Sequence, residues 1–182
     1  GWSRVDGLTS YFGLRDTFTP VAALDYLQAA ADGTGRSGTV WHDGRHPAPP
    51  ARDDETAVPL FPAPATRLAY LTPEAERLAR ALRLEHGAWY NVLCGPHVTR
   101  AFARAPGLGP EAGARLLCQA SRLDLSGHAR FVLHLLQLDG WHGGRAATRT
   151  TVPRLTACGA VDLLTEADGA IATLHTVEEG AL

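Results

Sequence analysis

The sequence predicts an α+β fold, in which an antiparallel sheet with a C-terminal β-hairpin packs against about four helices. Three features carry the expectation. Proline follows a capping residue or a glycine at Thr19-Pro20, Thr72-Pro73, Gly95-Pro96 and Gly109-Pro110, and each of these pairs opens an apolar stripe of helical spacing. Short runs rich in β-forming residues lie between the stripes. Near the end of the chain, Asp168-Gly169 is a strong two-residue hairpin signal between alternating segments.

Taken in order, residues 2–18 mix aromatic and turn residues, and Asp6-Gly7 marks a hairpin between short extended segments. Thr19 and Pro20 open a helix over 20–32 whose stripe is Val21, Leu24, Leu27 and Ala31. Gly33, Gly35 and Gly38 spell the dinucleotide-binding glycine pattern in the wrong context. A helix precedes them and the strand Gly38–His42 follows, so a flexible connection is the better reading. Residues 43–64 are rich in Pro, Ala and turn residues and predict a mobile surface loop. Val58, Leu60 and Phe61 are placed to pin its far end to the core. Residues 66–71 read as a strand.

Thr72-Pro73 then begins the central helix. Glu74 and Glu76 lie in its positive first turn, and Glu76–Arg80 is a four-apart pair in the favourable order. The stripe of Ala75, Leu78, Ala79 and Leu82 continues to Trp89, Val92 and Leu93. One helix is therefore expected over 73–94, bent at Gly87. Gly95-Pro96 ends it and starts a helix over 96–105, and Pro110 starts another over 110–122. Residues 128–138 are read as a buried strand, because turn signals bound both ends. Residues 148–156 are extended, with Pro153 at an edge. The final hairpin pairs Val161 through Thr176, with Val161, Leu163, Ala172 and Leu174 on one face and Asp162 opposite His175 on the other.

Composition bounds the function. A chain of 182 residues with 45% apolar side chains fits a single domain, residues 1–182, with a substantial core. A net charge of −2 offers no electrostatic case for nucleic acid or an acidic membrane surface. No apolar run is long enough to span a bilayer. Three widely spaced cysteines point to a reducing, cytoplasmic compartment. All 17 basic side chains are arginine, which excludes a Schiff-base lysine and a phosphate-loop lysine. Methionine is absent, as expected of a processed product or of a piece of a longer chain. The Ala, Arg, Gly and Pro excess suggests a GC-rich bacterial gene.

The leading candidate for chemistry is Cys94 with His97. Unpaired N–H groups at a helix start favour a thiolate, and a histidine three residues on would serve as its base. Arg100 and Arg104 share the face of His97 and would hold a carboxylate or phosphate. The plain alternative is a helix corner with a buried, inert cysteine. Asp162 and His175 form a second candidate, a carboxylate orienting an imidazole. His142, in Gly-Trp-His-Gly-Gly-Arg, is a third substrate contact, although no Gly-x-Ser-x-Gly elbow accompanies it. The pairs His42/His46 and His128/His134 lack zinc-site spacing, so no metal is expected, and no organic cofactor is implied. His86 reads as a core histidine.

The expected function is an enzyme using acid–base or thiol chemistry on a small anionic or acyl-type organic substrate, in a setting of bacterial biosynthesis. The alternative is a non-catalytic binding or structural domain of a longer protein. The expected partners are a small molecule and either a second copy of the chain in a homodimer or neighbouring domains, with neither nucleic acid nor membrane.

Overall fold

A computed structural model describes residues 2–32, 35–47, 58, 60–62 and 65–151. The elements run β1 (Trp2–Arg15), α1 (Pro20–Ala31), β2 (Arg36–Ser37), β3 (Thr39–His42), β4 (Arg45–Pro47), β5 (Thr66–Leu71) and α2 (Pro73–Ala81). They continue with β6 (His86–Leu93), α3 (Pro96–Arg104), α4 (Pro110–Leu125), β7 (Phe131–His142) and β8 (Arg145–Thr151). A 3₁₀ turn, Ala105–Leu108, links α3 to α4. The fold is α+β. Its sheet has the order β2-β5-β6-β1-β7-β8, with β3 on the edge of β6 beyond the end of β5, and β4 on β3. Neighbours are antiparallel except β1 and β6, which run parallel, so the sheet is mixed rather than wholly antiparallel. The β7–β8 hairpin turns at Gly143 and Gly144, both at positive φ.

β1 is the centre of the sheet. Asp6-Gly7 does not turn the chain; one continuous strand runs through it, with a register shift against β7 between Val5 and Gly7. A bulge absorbs the extra residue here, and Asp6 C=O accepts from Glu85 N–H at 2.8 Å. Alternation along β1 feeds both faces of the sheet. Leu8 packs in a cluster with Trp41, Ala79, Leu84, Leu136 and Leu138, against which Leu78, Leu82 and Trp89 lean. Tyr11 joins the opposite cluster of Val58, Phe61, Ala65, Val92, Cys94 and Leu135. A third cluster, around Leu117, joins α1, α3 and α4 to Leu93 of β6.

The expected helix over 73–94 is two elements. Helix α2 stops because Arg83 adopts φ 54°, and Leu84 N–H returns to Ala79 C=O at 2.9 Å while Arg83 N–H returns to Arg80 C=O at 3.2 Å. This is the Schellman closure, with arginine where glycine is usual. Residues 86–93 then pair on both sides as β6, as their aromatic and β-branched content favours. Gly87 is not a helix kink. A Cβ there would meet the Trp89 ring at 2.8 Å, so the bare backbone makes room for the indole.

The expected loop over 43–64 begins instead as the β3–β4 hairpin. Val58 and Phe61 do reach the core, whereas Leu60 is 70% exposed. The rest of that loop, and the predicted hairpin over 161–176 with Asp162 and His175, lie outside the described residues.

Glu76 ties the β3–β4 hairpin to α2. Its side chain is 6% exposed and receives both Arg45, whose Nη2 is 2.8 Å from Oε2, and Arg80 at 3.3 Å. Arg80 also stacks over Trp41, 5.2 Å from the ring centroid. The hydrogen bond from Arg45, above all, holds the Glu76 carboxyl below its ordinary range. A carboxyl lowered in the folded state stabilises above its unfolded pKa and loses that contribution as pH falls through the folded value. Glu76→Gln is therefore expected to lower the urea midpoint at pH 7, and the gap from the parent chain should narrow as pH falls below about 4.5, the ordinary glutamate value. Denaturation curves at pH 7 and pH 3.5 check both statements.

Candidate functional site

Because β1 and β6 are parallel, their carboxyl ends lie side by side, and the helices that follow them, α1 and α3, start at the same end of the sheet. A crevice at the carboxyl ends of parallel strands is where open sheets bind ligands. Here it is a cavity of about 160 Å³, lined by Phe12 to Asp16 of the β1 end, Asn91 to Cys94 of the β6 end, Phe18, Tyr26, Val98 and Phe102, with Ser121 and Asp124 from α4. The walls are aromatic. Phe102 meets Tyr26 edge-on at 4.9 Å and Phe18 at 5.9 Å. Burial pushes the Tyr26 phenol above its ordinary value, against an opposing hydrogen bond with Asn91.

The polar groups of this cavity differ in how far they are satisfied. Asp124 is 8% exposed and caps α3 from another helix, accepting His97 N–H at 3.2 Å and Val98 N–H at 2.7 Å. The donors expected to stabilise a thiolate at Cys94 are thus already engaged by a carboxylate. Gly95 makes that approach feasible: it sits at φ 151°, and a Cβ would lie 2.2 Å from the Asp124 carboxyl carbon. Asp16 accepts Thr17 N–H and faces Arg130 at 3.4 Å. Arg15 is the exception. Its Nε is buried and, among the described residues, has no hydrogen-bond partner. Its guanidinium carbon lies 5.4 Å from the Phe131 ring centroid.

The expected site residues separate into several places. Cys94 lines the cavity and is buried; burial pushes its thiol up to about 11, with Arg15 opposing weakly. Its weak contact is to Val92 C=O at 3.9 Å. His97 is turned to Arg100, whose Nη2 lies 3.4 Å from Nδ1, so no thiol–imidazole pair forms. Arg100 also donates to Pro96 C=O at 3.0 Å and, like Arg104, is exposed on the outer side of α3. His142 pairs in register with Trp2, whereas the cavity adjoins Leu14, so His142 is at the far end of the sheet, on the order of 35 Å away along the strand. Cys94 alone of these described residues lines the cavity. The sequence reading missed Arg15, Tyr26, Asn91 and Asp124, because β1, β6, α1 and α4 contribute them separately.

A buried Ser10 hydroxyl contacts His134 Nε2 at 2.9 Å on the sheet, and His134 packs edge-on to Phe12. Burial lowers the His134 pKa, because the charged ring is disfavoured away from water. At 7% and 5% exposure the two residues form a buried core pair. His86, expected in the core, is instead exposed on β6.

No family of known proteins matches the chain, and no curated protein matches it either. Among the described residues, no helix is long and apolar enough to cross a membrane.

Two results are expected. Iodoacetamide at pH 8 should label Cys94 at least tenfold more slowly in the folded chain than in urea, where the thiol returns to about 8.5; peptide mapping checks this. Asp124→Ala should cost about 1–2 kcal/mol in urea unfolding, the range for a lost helix cap. Gly95→Ala should destabilise as well, since it strains the backbone and displaces the same carboxylate.

Proposed function

We propose that this chain binds a small organic acid with an aromatic or compact apolar body in the cavity at the ends of β1 and β6. The buried, unpartnered Nε of Arg15 carries the reading. A buried guanidinium donor without a partner is costly, and a carboxylate is its natural complement. The neighbouring acids do not cancel it, since Asp124 is committed to α3 and Asp16 faces Arg130. The size supports a ligand of few atoms: about 160 Å³ is close to the roughly 150 Å³ cavity that accommodates benzene. A nucleotide is too large for it.

This reading keeps the anionic substrate class expected from sequence and moves the anion contact from Arg100 and Arg104 to Arg15. It favours recognition over thiol chemistry, because the Cys94 thiol is raised and its helix-terminal donors are occupied. Tyr26 and Asn91 would orient the ligand from the opposite wall.

Thermal denaturation with benzoate, phenylacetate and their neutral amides tests the proposal. The acids should raise the melting temperature in a concentration-dependent way and the amides should not. Arg15→Gln should weaken acid binding by about tenfold or more, the loss of a charge-assisted hydrogen bond of about 1.5–3 kcal/mol. Equal stabilisation by acids and amides, or unchanged affinity in Arg15→Gln, would refute it.

A further inference from the structure

The opposite face of the sheet holds a second, wider cleft of about 350 Å³, between the β3–β4 hairpin and the end of β6. Three histidines, His42, His46 and His86, line it, with Thr9 and Tyr90 at its floor. All three rings are on exposed residues. We propose that His42 and His46 chelate a borderline transition-metal dication, of the zinc, nickel or copper class, at the mouth of this cleft. The proposal is independent of the organic-acid cavity.

The geometry of the pair supports it. The two ring centroids are 5.8 Å apart, with the rings at 76°. Two imidazoles bound to one metal at about 2.0–2.1 Å have centroids roughly 5–6 Å apart, so the observed separation matches that of two rings sharing an ion. The backbone places both residues on one face of the hairpin. Val40 pairs with His46 across the hairpin, so His46 and His42 project from the same face, and the turn at Asp43 and Gly44 closes the hairpin beneath them. Arg45, on the other face, is anchored to Glu76, which holds β4 against the protein.

His86 does not complete a triad. It is in register with His42, yet its ring lies over Gly7, where a Cβ would fall 1.9 Å from Nε2. Among the described residues no three His, Cys, Asp or Glu side chains converge as a metal-binding group. The chelate is therefore bidentate. Its remaining positions face the cleft and belong to water or to a donor from an incoming ligand, the arrangement of an open rather than a closed metal site. Imidazole ligands select transition metals over magnesium or calcium, and copper should bind most tightly.

The test is titration of the full, untagged chain with nickel chloride or zinc chloride, followed through the histidine ring signals in NMR spectra. The His42 and His46 signals should change together, with those of His97 and His128 unaffected, and magnesium chloride should change none of them. His42→Ala and His46→Ala should each weaken nickel binding by about tenfold or more, on the scale by which even outer metal-site contacts matter. Both positions are exposed, so the variants should fold, which unchanged backbone spectra would verify. Nickel binding that is equally tight in the double variant, or no change at His42 and His46 at millimolar metal, would overturn the proposal. Neither result bears on the Arg15 cavity.

Discussion

The parallel pairing of β1 with β6 is the constraint on which the rest of the described fold depends. β1 is hydrogen-bonded on both edges, to β6 on one side and β7 on the other. Antiparallel strands can be joined by a turn, but parallel strands need a crossover. Residues 16–85 provide it, and they include α1, the β3–β4 hairpin, β5 and α2. The same pairing puts two strand ends and two helix starts at one edge of the sheet. The aromatic cavity lies between the last paired residues of β1 and β6 and side chains of α1, α3 and α4.

Long-range polar contacts then determine which groups remain available. Glu76 is completed by Arg45 and Arg80, and Asp124 by the first N–H groups of α3. Each carboxylate joins elements that are far apart in sequence, and each is satisfied where it is buried, as a buried charge must be. Arg15 breaks that pattern through its buried Nε. Among the described residues, Arg15 Nε and His134 Nδ1 are the buried side-chain atoms without a hydrogen-bond partner, and of the two residues Arg15 is the one that lines the aromatic cavity.

Local sequence signals match the structure wherever local chemistry is sufficient. Thr19 and Thr72 both cap their helices through side-chain oxygens, accepting from Ala22 and Ala75. The strand over 66–71 and the strand character of 128–138 also hold, although the latter begins at Phe131 and runs on to His142. The failures were of two physical kinds. Arg83 took a left-handed conformation that sequence reading reserves for glycine, so the end of α2 was invisible and β6 was read as helix. Asp6-Gly7 carries a turn signal, yet hydrogen bonding on both edges of β1 made it a bulge.

By itself, the sequence determined the α+β class, the four helix starts, the absence of lysine chemistry and the near-neutral charge, because each depends on residue identity or on neighbours a few positions apart. Only the tertiary structure decided what surrounds Cys94. The thiol and His97 are near in sequence but face different surroundings: a carboxylate from α4 takes the helix terminus, and burial raises the thiol. The residues that do line the cavity come from separate elements, and the parallel register of β1 and β6 brings them together. That register is a property of backbone pairing across residues 16–85, which no local pattern encodes.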